Sequence, residues 1–162
     1  MKEVYIYDIS TKTWFTQSTT AVAGRYPDAQ GSLCSVGASA ADNSSHNIYI
    51  YGGFHGAFHE WMKSSNDVFI LTLPAFHWVL VYTDEDGADP RRTYGHRCQK
   101  VHEKHMVAYR GQGSSCENDS QYGEFQGISI YDMSSLTWTT NVELENQTYL
   151  VPQELYERIG GK

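Results

Sequence analysis

Three tryptophans, Trp14, Trp78 and Trp138, each end a segment built to one pattern. Tyr5-Ile6-Tyr7-Asp8-Ile9 reaches Trp14 six residues after its aspartate. Phe69-Ile70-Leu71-Thr72-Leu73 reaches Trp78 with the same offset from Thr72, and Ile130-Tyr131-Asp132-Met133 reaches Trp138 with that offset from Asp132. The tryptophans lie 64 and 60 residues apart, and Cys34 and Cys98 are also 64 apart. A recurrence of this length makes each period one supersecondary unit that needs its neighbours to bury its apolar faces.

Strand chemistry fills each period. Twelve tyrosines, 6 phenylalanines and 14 glycines favour strands and turns over helices. The reading predicts strands over 4–7, 13–16, 31–36, 48–51, 68–73, 78–82, 95–101, 106–110, 128–133 and 138–140. Residues 54–66 read as a polar, aromatic-rich loop between two of them. Ile48 and Ile50 face one way and Tyr49 and Tyr51 the other, yet both sets are apolar. Val68/Ile70 and Phe69/Leu71 behave alike, so these strands must be covered on both faces. Pro152, an early glutamate, a late arginine and the final glycine pair predict one short C-terminal helix.

An arginine before the first strand, the pair Gly52-Gly53, a Tyr-Asp pair and a tryptophan six residues later together resemble the kelch repeat, from residue 4 to about 140. The resemblance implies an all-β partial β-propeller of four-stranded antiparallel blades. Its structural positions are Asp8, Trp14, Gly52, Gly53, Trp78, Gly111, Asp132 and Trp138. Gly52-Gly53 becomes Arg110-Gly111 in the next unit, and the aspartate becomes Thr72 in the middle one. Residues 1–20 then read as the second half of a preceding blade, 21–83 and 84–141 as complete blades, and 142–162 as a tail with the short helix. Two and a half blades cannot close a ring of at least four. The chain therefore reads as the C-terminal piece of a larger propeller, or as a short one completed by self-association, with an apolar blade face exposed at its N-terminal side. Its long units, the Cys116 loop and the Val-Pro tail look most like extracellular kelch proteins of fungi.

Candidate sites follow from up-and-down topology, which brings the loop before the first strand and the loop between the second and third to one face. Arg25, Tyr26, Arg92, Tyr94 and His96 stand in the former loops, and His55, Phe58, His59 and Trp61 in the latter. That mixture suits peptides, carboxylates or sugars; alternatively the arginines bond backbone between blades and the aromatics fold their own loops. His55 and His59 would share one face only on a helix, and none is predicted there, while His102 and His105 sit in a tight turn without a third convergent ligand, so no metal and no cofactor is expected. Cys98 and Cys116 stand at the adjoining ends of two antiparallel strands, which suggests a disulfide and leaves Cys34 free and buried. Asn43, Asn118 and Asn146 open N-glycosylation patterns, or are polar turn residues that merely spell them.

The net charge of −7, with no dense basic cluster, argues against nucleic acid. No apolar run approaches the roughly 18 residues of a membrane span, and no signal peptide is visible at residues 1–10. No nucleophile motif or phosphate-binding glycine loop is present. The expectation is a non-catalytic binding or scaffolding module, extracellular or at a cell surface. Its partners would be a protein or peptide, missing propeller blades or a second copy, with a glycan also possible. The alternatives are a carbohydrate-binding module and a copper-dependent oxidase. Some kelch propellers are copper-radical oxidases, whose tyrosine, cysteine and histidine ligands come from several blades; two blades do not supply the set.

Overall fold

A computed structural model describes residues 1–28, 30–55, 63–83, 93–109, 111, 127–142, 145 and 148–159. Its strands, in order, are β1 (Glu3–Asp8), β2 (Thr13–Ser18), β3 (Thr20–Ala21), β4 (Cys34–Ser39), β5 (His46–Tyr51), β6 (Phe54–His55), β7 (Lys63–Ser64), β8 (Val68–Leu73), β9 (His77–Tyr82), β10 (Arg97–Val101), β11 (His105–Tyr109), β12 (Ile128–Asp132) and β13 (Thr137–Thr139). A helix, α1 (Gln153–Ile159), follows. β4, β5, β8 and β9 form one antiparallel meander, with β3 added in parallel outside β9. β10 to β13 form a second meander, and β1 and β2 pair as a separate hairpin. The fold is an all-β partial propeller of four-stranded blades.

The doubly apolar strands are covered on both sides, as their composition requires. On one face of the five-stranded sheet, Tyr49, Tyr51, Val68, Ile70, Val79 and Tyr82 pack with Met106, Ala108, Tyr131 and Met133 of the next blade. On the other, Ile50, Phe69, Leu71 and Trp78 pack with Val4 of β1, Met1 and Tyr26. Neighbouring residues of β8 thus enter different cores, because side chains alternate across a strand.

The recurring aspartate has a local role. Asp8 Oδ1 accepts from the backbone N–H groups of Ser10 (2.8 Å) and Thr11 (3.0 Å), and Asp132 Oδ1 from those of Ser134 (2.8 Å) and Ser135 (3.1 Å). Each carboxylate closes the turn joining the third and fourth strands of its unit. Four residues past that position, Lys12, Phe76 and Leu136 all have left-handed backbones, with φ of 55°, 51° and 58°. The repeat is therefore carried by turn geometry even where Thr72 replaces aspartate.

Three departures from the sequence expectations stand out. The first strand of the complete blade starts at Cys34 rather than Gly31, because Gly31 exchanges two backbone hydrogen bonds with Phe54 instead. The loop after Gly53 opens and closes with a small hairpin, β6–β7. The tail is part of the core: Tyr149, Val151 and Leu155 are buried in the cluster between the two blades. No helix among the described residues is long and apolar enough to cross a membrane.

Candidate functional site: the seam between two blades

The end of β5 and the loop before β10 build a seam. Gly53 N–H donates to Thr93 O (3.0 Å), and Gly95 N–H donates to Ser32 O (2.9 Å). Gly52 has φ +62°, and a Cβ there would lie 2.6 Å from His96 Cε1 and 2.8 Å from Thr93 O. Gly111, at φ +131°, occupies the place of Gly53 in the next unit, and a Cβ there would lie 2.3 Å from Thr93 Oγ1 of its own blade. Gly52 therefore serves two ends at once: a left-handed backbone, and room for the neighbouring blade's loop.

That room is filled by His96. It is buried, its ring lies 4.7 Å from the Tyr51 ring, and its Nε2 is 3.1 Å from Tyr51 O. A carbonyl only accepts, so Nε2 carries the proton and Nδ1 keeps a lone pair. Burial pushes the imidazole down to about 4, so it is neutral at physiological pH. Nδ1 is buried and has no hydrogen-bond partner. His96 is thus an inter-blade side chain and does not join the exposed loop face expected for it.

The cysteines also depart from expectation. Cys34 is bonded to Cys98, with Cα atoms 5.4 Å apart, so Cys34 is not free and Cys98 is not paired with Cys116, which lies outside the described residues. Pairing within one sheet suggested the other partner. β4 and β10, however, are the first strands of consecutive blades and pack against each other, which brings equivalent positions of the repeat together. The signal was present: the cysteine separation of 64 equals that of Trp14 and Trp78. A His96 ring nitrogen and the two sulfurs lie within 4.8 Å of one another. Beside them opens a cleft of about 510 Å³, lined also by Arg97, Gln99 and Tyr109.

Tyr94 packs edge-on against Phe54, ring centroids 5.3 Å apart, which joins the loop before one blade to the loop within the previous one. Arg25 is exposed. Tyr26 donates to Thr19 O (3.3 Å) and stacks beneath Lys2 Nζ at 5.9 Å. His55 pairs through its backbone with Lys63. Phe58, His59, Trp61, Arg92, Asn118 and Asn146 lie outside the described residues. Asn43 sits on the exposed turn between β4 and β5. His105 is buried, with Nε2 3.9 Å from Asp132 Oδ2, and Lys104 Nζ is 3.0 Å from that oxygen. Burial opposes ionisation of Asp132, but the Ser135, Lys104 and Ser134 hydrogen bonds and the Lys104 charge outweigh it and lower its pKa.

The tryptophans differ by what covers them. Trp138 lies among Tyr51, Tyr82 and Tyr131, at centroid distances of 4.9, 6.0 and 4.8 Å. Trp78 is 3% exposed, with Phe69 and Leu71 at 6% and 5%. Their counterparts one period earlier, Tyr5, Tyr7 and Trp14, are 73%, 43% and 66% exposed.

No family model matches the chain. Over 140 residues, 85% of its length, the chain is 34% identical to a kelch repeat-containing protein of Arthroderma benhamiae. It spans 19% of that relative. The four-stranded blades, the tryptophan that recurs behind each third strand, and this likeness make the chain a member of the kelch-repeat family.

Proposed function

We propose that the chain is a non-catalytic binding and scaffolding module whose principal docking surface is the β1–β2 sheet face. The observation that carries this reading is a contrast between equivalent positions: residues matching the buried Phe69, Leu71 and Trp78 are exposed at Tyr5, Tyr7 and Trp14. A face with that pattern suits another four-stranded blade. Covering three rings of this size removes on the order of 350 Å² of apolar surface, roughly 9 kcal/mol before costs. Free association of two molecules costs about 4–15 kcal/mol, so a second copy binds weakly, whereas a blade tethered in the same chain is held firmly.

Protein or peptide partners are proposed for the loop face that carries Arg25 and Tyr94. An extracellular or cell-surface setting is proposed as well; the Cys34–Cys98 disulfide and the exposed Asn43 sequence pattern support it.

Sedimentation over a range of concentrations tests the docking face. The expected result is a weak, concentration-dependent dimer that the double change Tyr5→Ser, Trp14→Ser abolishes while sheet content by circular dichroism stays the same. A chain whose mass does not depend on concentration, and whose binding of an apolar dye is unchanged by the double variant, overturns it.

A further inference from the structure

We infer that Cys34, Cys98 and His96 form, when the disulfide is reduced, a binding site for a thiophilic d10 cation such as Zn²⁺. Three independent features converge on it. The two sulfurs and a ring nitrogen already lie within 4.8 Å of one another, the spread that a tetrahedral ion can gather. His96 donates Nε2–H to the Tyr51 carbonyl, the outer contact that orients metal-ligating imidazoles and raises their basicity. Its other nitrogen, Nδ1, is buried and has no hydrogen-bond partner. A polar atom left in that condition costs free energy unless something fills its lone pair.

The chemistry balances. A dithiol reductant transfers two electrons and two protons to the Cys34–Cys98 bond and leaves as its own cyclic disulfide. Binding of M²⁺ then releases both thiol protons to solvent. Two thiolates and a neutral imidazole hold the ion, and water from the adjoining cleft takes the fourth position. The bound unit is neutral overall, which suits a buried seam. Disulfide and metal ion are thus mutually exclusive fasteners between the same two strands, β4 and β10. The site is one available to the chain before its disulfide closes, or after a dithiol reopens it.

The test uses the full chain, reduced with a dithiol, freed of it without air, and titrated with Co²⁺ as a spectroscopic probe for zinc. The expected result is one cobalt ion per chain, with a thiolate-to-cobalt charge-transfer band that Zn²⁺ removes, and no such band in the oxidised chain. Zn²⁺ should shield Cys34 and Cys98, but not Cys116, from alkylation mapped by mass spectrometry. His96→Ala should weaken binding more than about tenfold, while His102→Ala leaves it unchanged. A reduced chain that shows no thiolate band overturns the inference, as does one whose cobalt binding survives alkylation of Cys34 and Cys98. The protection measurement needs no substitution, so it decides the matter even if His96→Ala fails to fold.

Discussion

Tyr149 donates its hydroxyl proton to the hydroxyl oxygen of Tyr49, 2.9 Å away across 100 residues of sequence. The direction follows from the partners. Tyr49 spends its single proton on Met133 O (2.7 Å), so only Tyr149 can donate between the two rings. Asn47 Nδ2 in turn donates to Tyr149 (3.1 Å). The tail is thereby tied to β5 of one blade and to the turn after β12 of the next by a buried, directional chain.

Removing the middle of that chain should cost less than removing its hub. Tyr149→Phe strands only the Asn47 amide and is expected to destabilise by about 1–2 kcal/mol. Tyr49→Phe leaves both the Met133 carbonyl and the Tyr149 hydroxyl unpaired and should cost about 2–3 kcal/mol. Urea midpoints of the two variants give the order directly; equal values contradict the assignment of donors.

The same pair sets an alkaline limit. Burial raises the Tyr149 pKa to about 12, and burial with the nearby Tyr149 pushes Tyr49 well above 10. The folded state therefore keeps protons that the unfolded chain releases near pH 10. This contribution is full below pH 10 and disappears as pH rises through about 12. Between those values the loss from Tyr149 should be roughly 2–3 kcal/mol. Urea unfolding at stepped pH should show a shallower decline in Tyr149→Phe than in the parent chain.

Gly52→Ala should destabilise by roughly 1–3 kcal/mol, because it combines a left-handed backbone with a clash against His96 and Thr93. Gly37, inside β4, has open space within 4 Å of where a Cβ would stand and serves as the control. Gly37→Ala is expected to be neutral or slightly stabilising. Thermal melts that rank the two in the opposite order refute the packing argument.

The repeated aspartates should prove unequal. Asp132 closes its turn and also meets Lys104 at 3.0 Å in a largely buried setting. Asp132→Ala is expected to cost about 3 kcal/mol. Asp8 makes the same turn contacts at the surface and has no lysine partner there among its hydrogen bonds, so Asp8→Ala should cost distinctly less. Paired denaturation curves test the difference, and similar losses count against a role for burial.

Much of the architecture was legible in local sequence. The bounds of β8 coincide with the predicted strand at 68–73, and α1 falls where Pro152 and the acidic first turn indicate. β3 was not legible, since a two-residue strand has no period to detect and exists only because it lies beside β9. The candidate loop face was read from topology alone. The structure brings Tyr94 to Phe54 but draws His96 inward, because the glycine beside it leaves a hole that a solvent-facing histidine would not fill.

By itself the sequence determined the unit: its strands, its turns, its glycines and the need for cover on both faces. These depend on side-chain alternation and on backbone preferences that act over a few residues. Only tertiary structure decided which units meet. Stacking of consecutive blades set Cys34 against Cys98, drew His96 in against Tyr51, drew Tyr149 into the core and left Trp14 in solvent. Contacts of that kind link residues as many as 102 positions apart, and no local pattern encodes which distant surface will supply the other half.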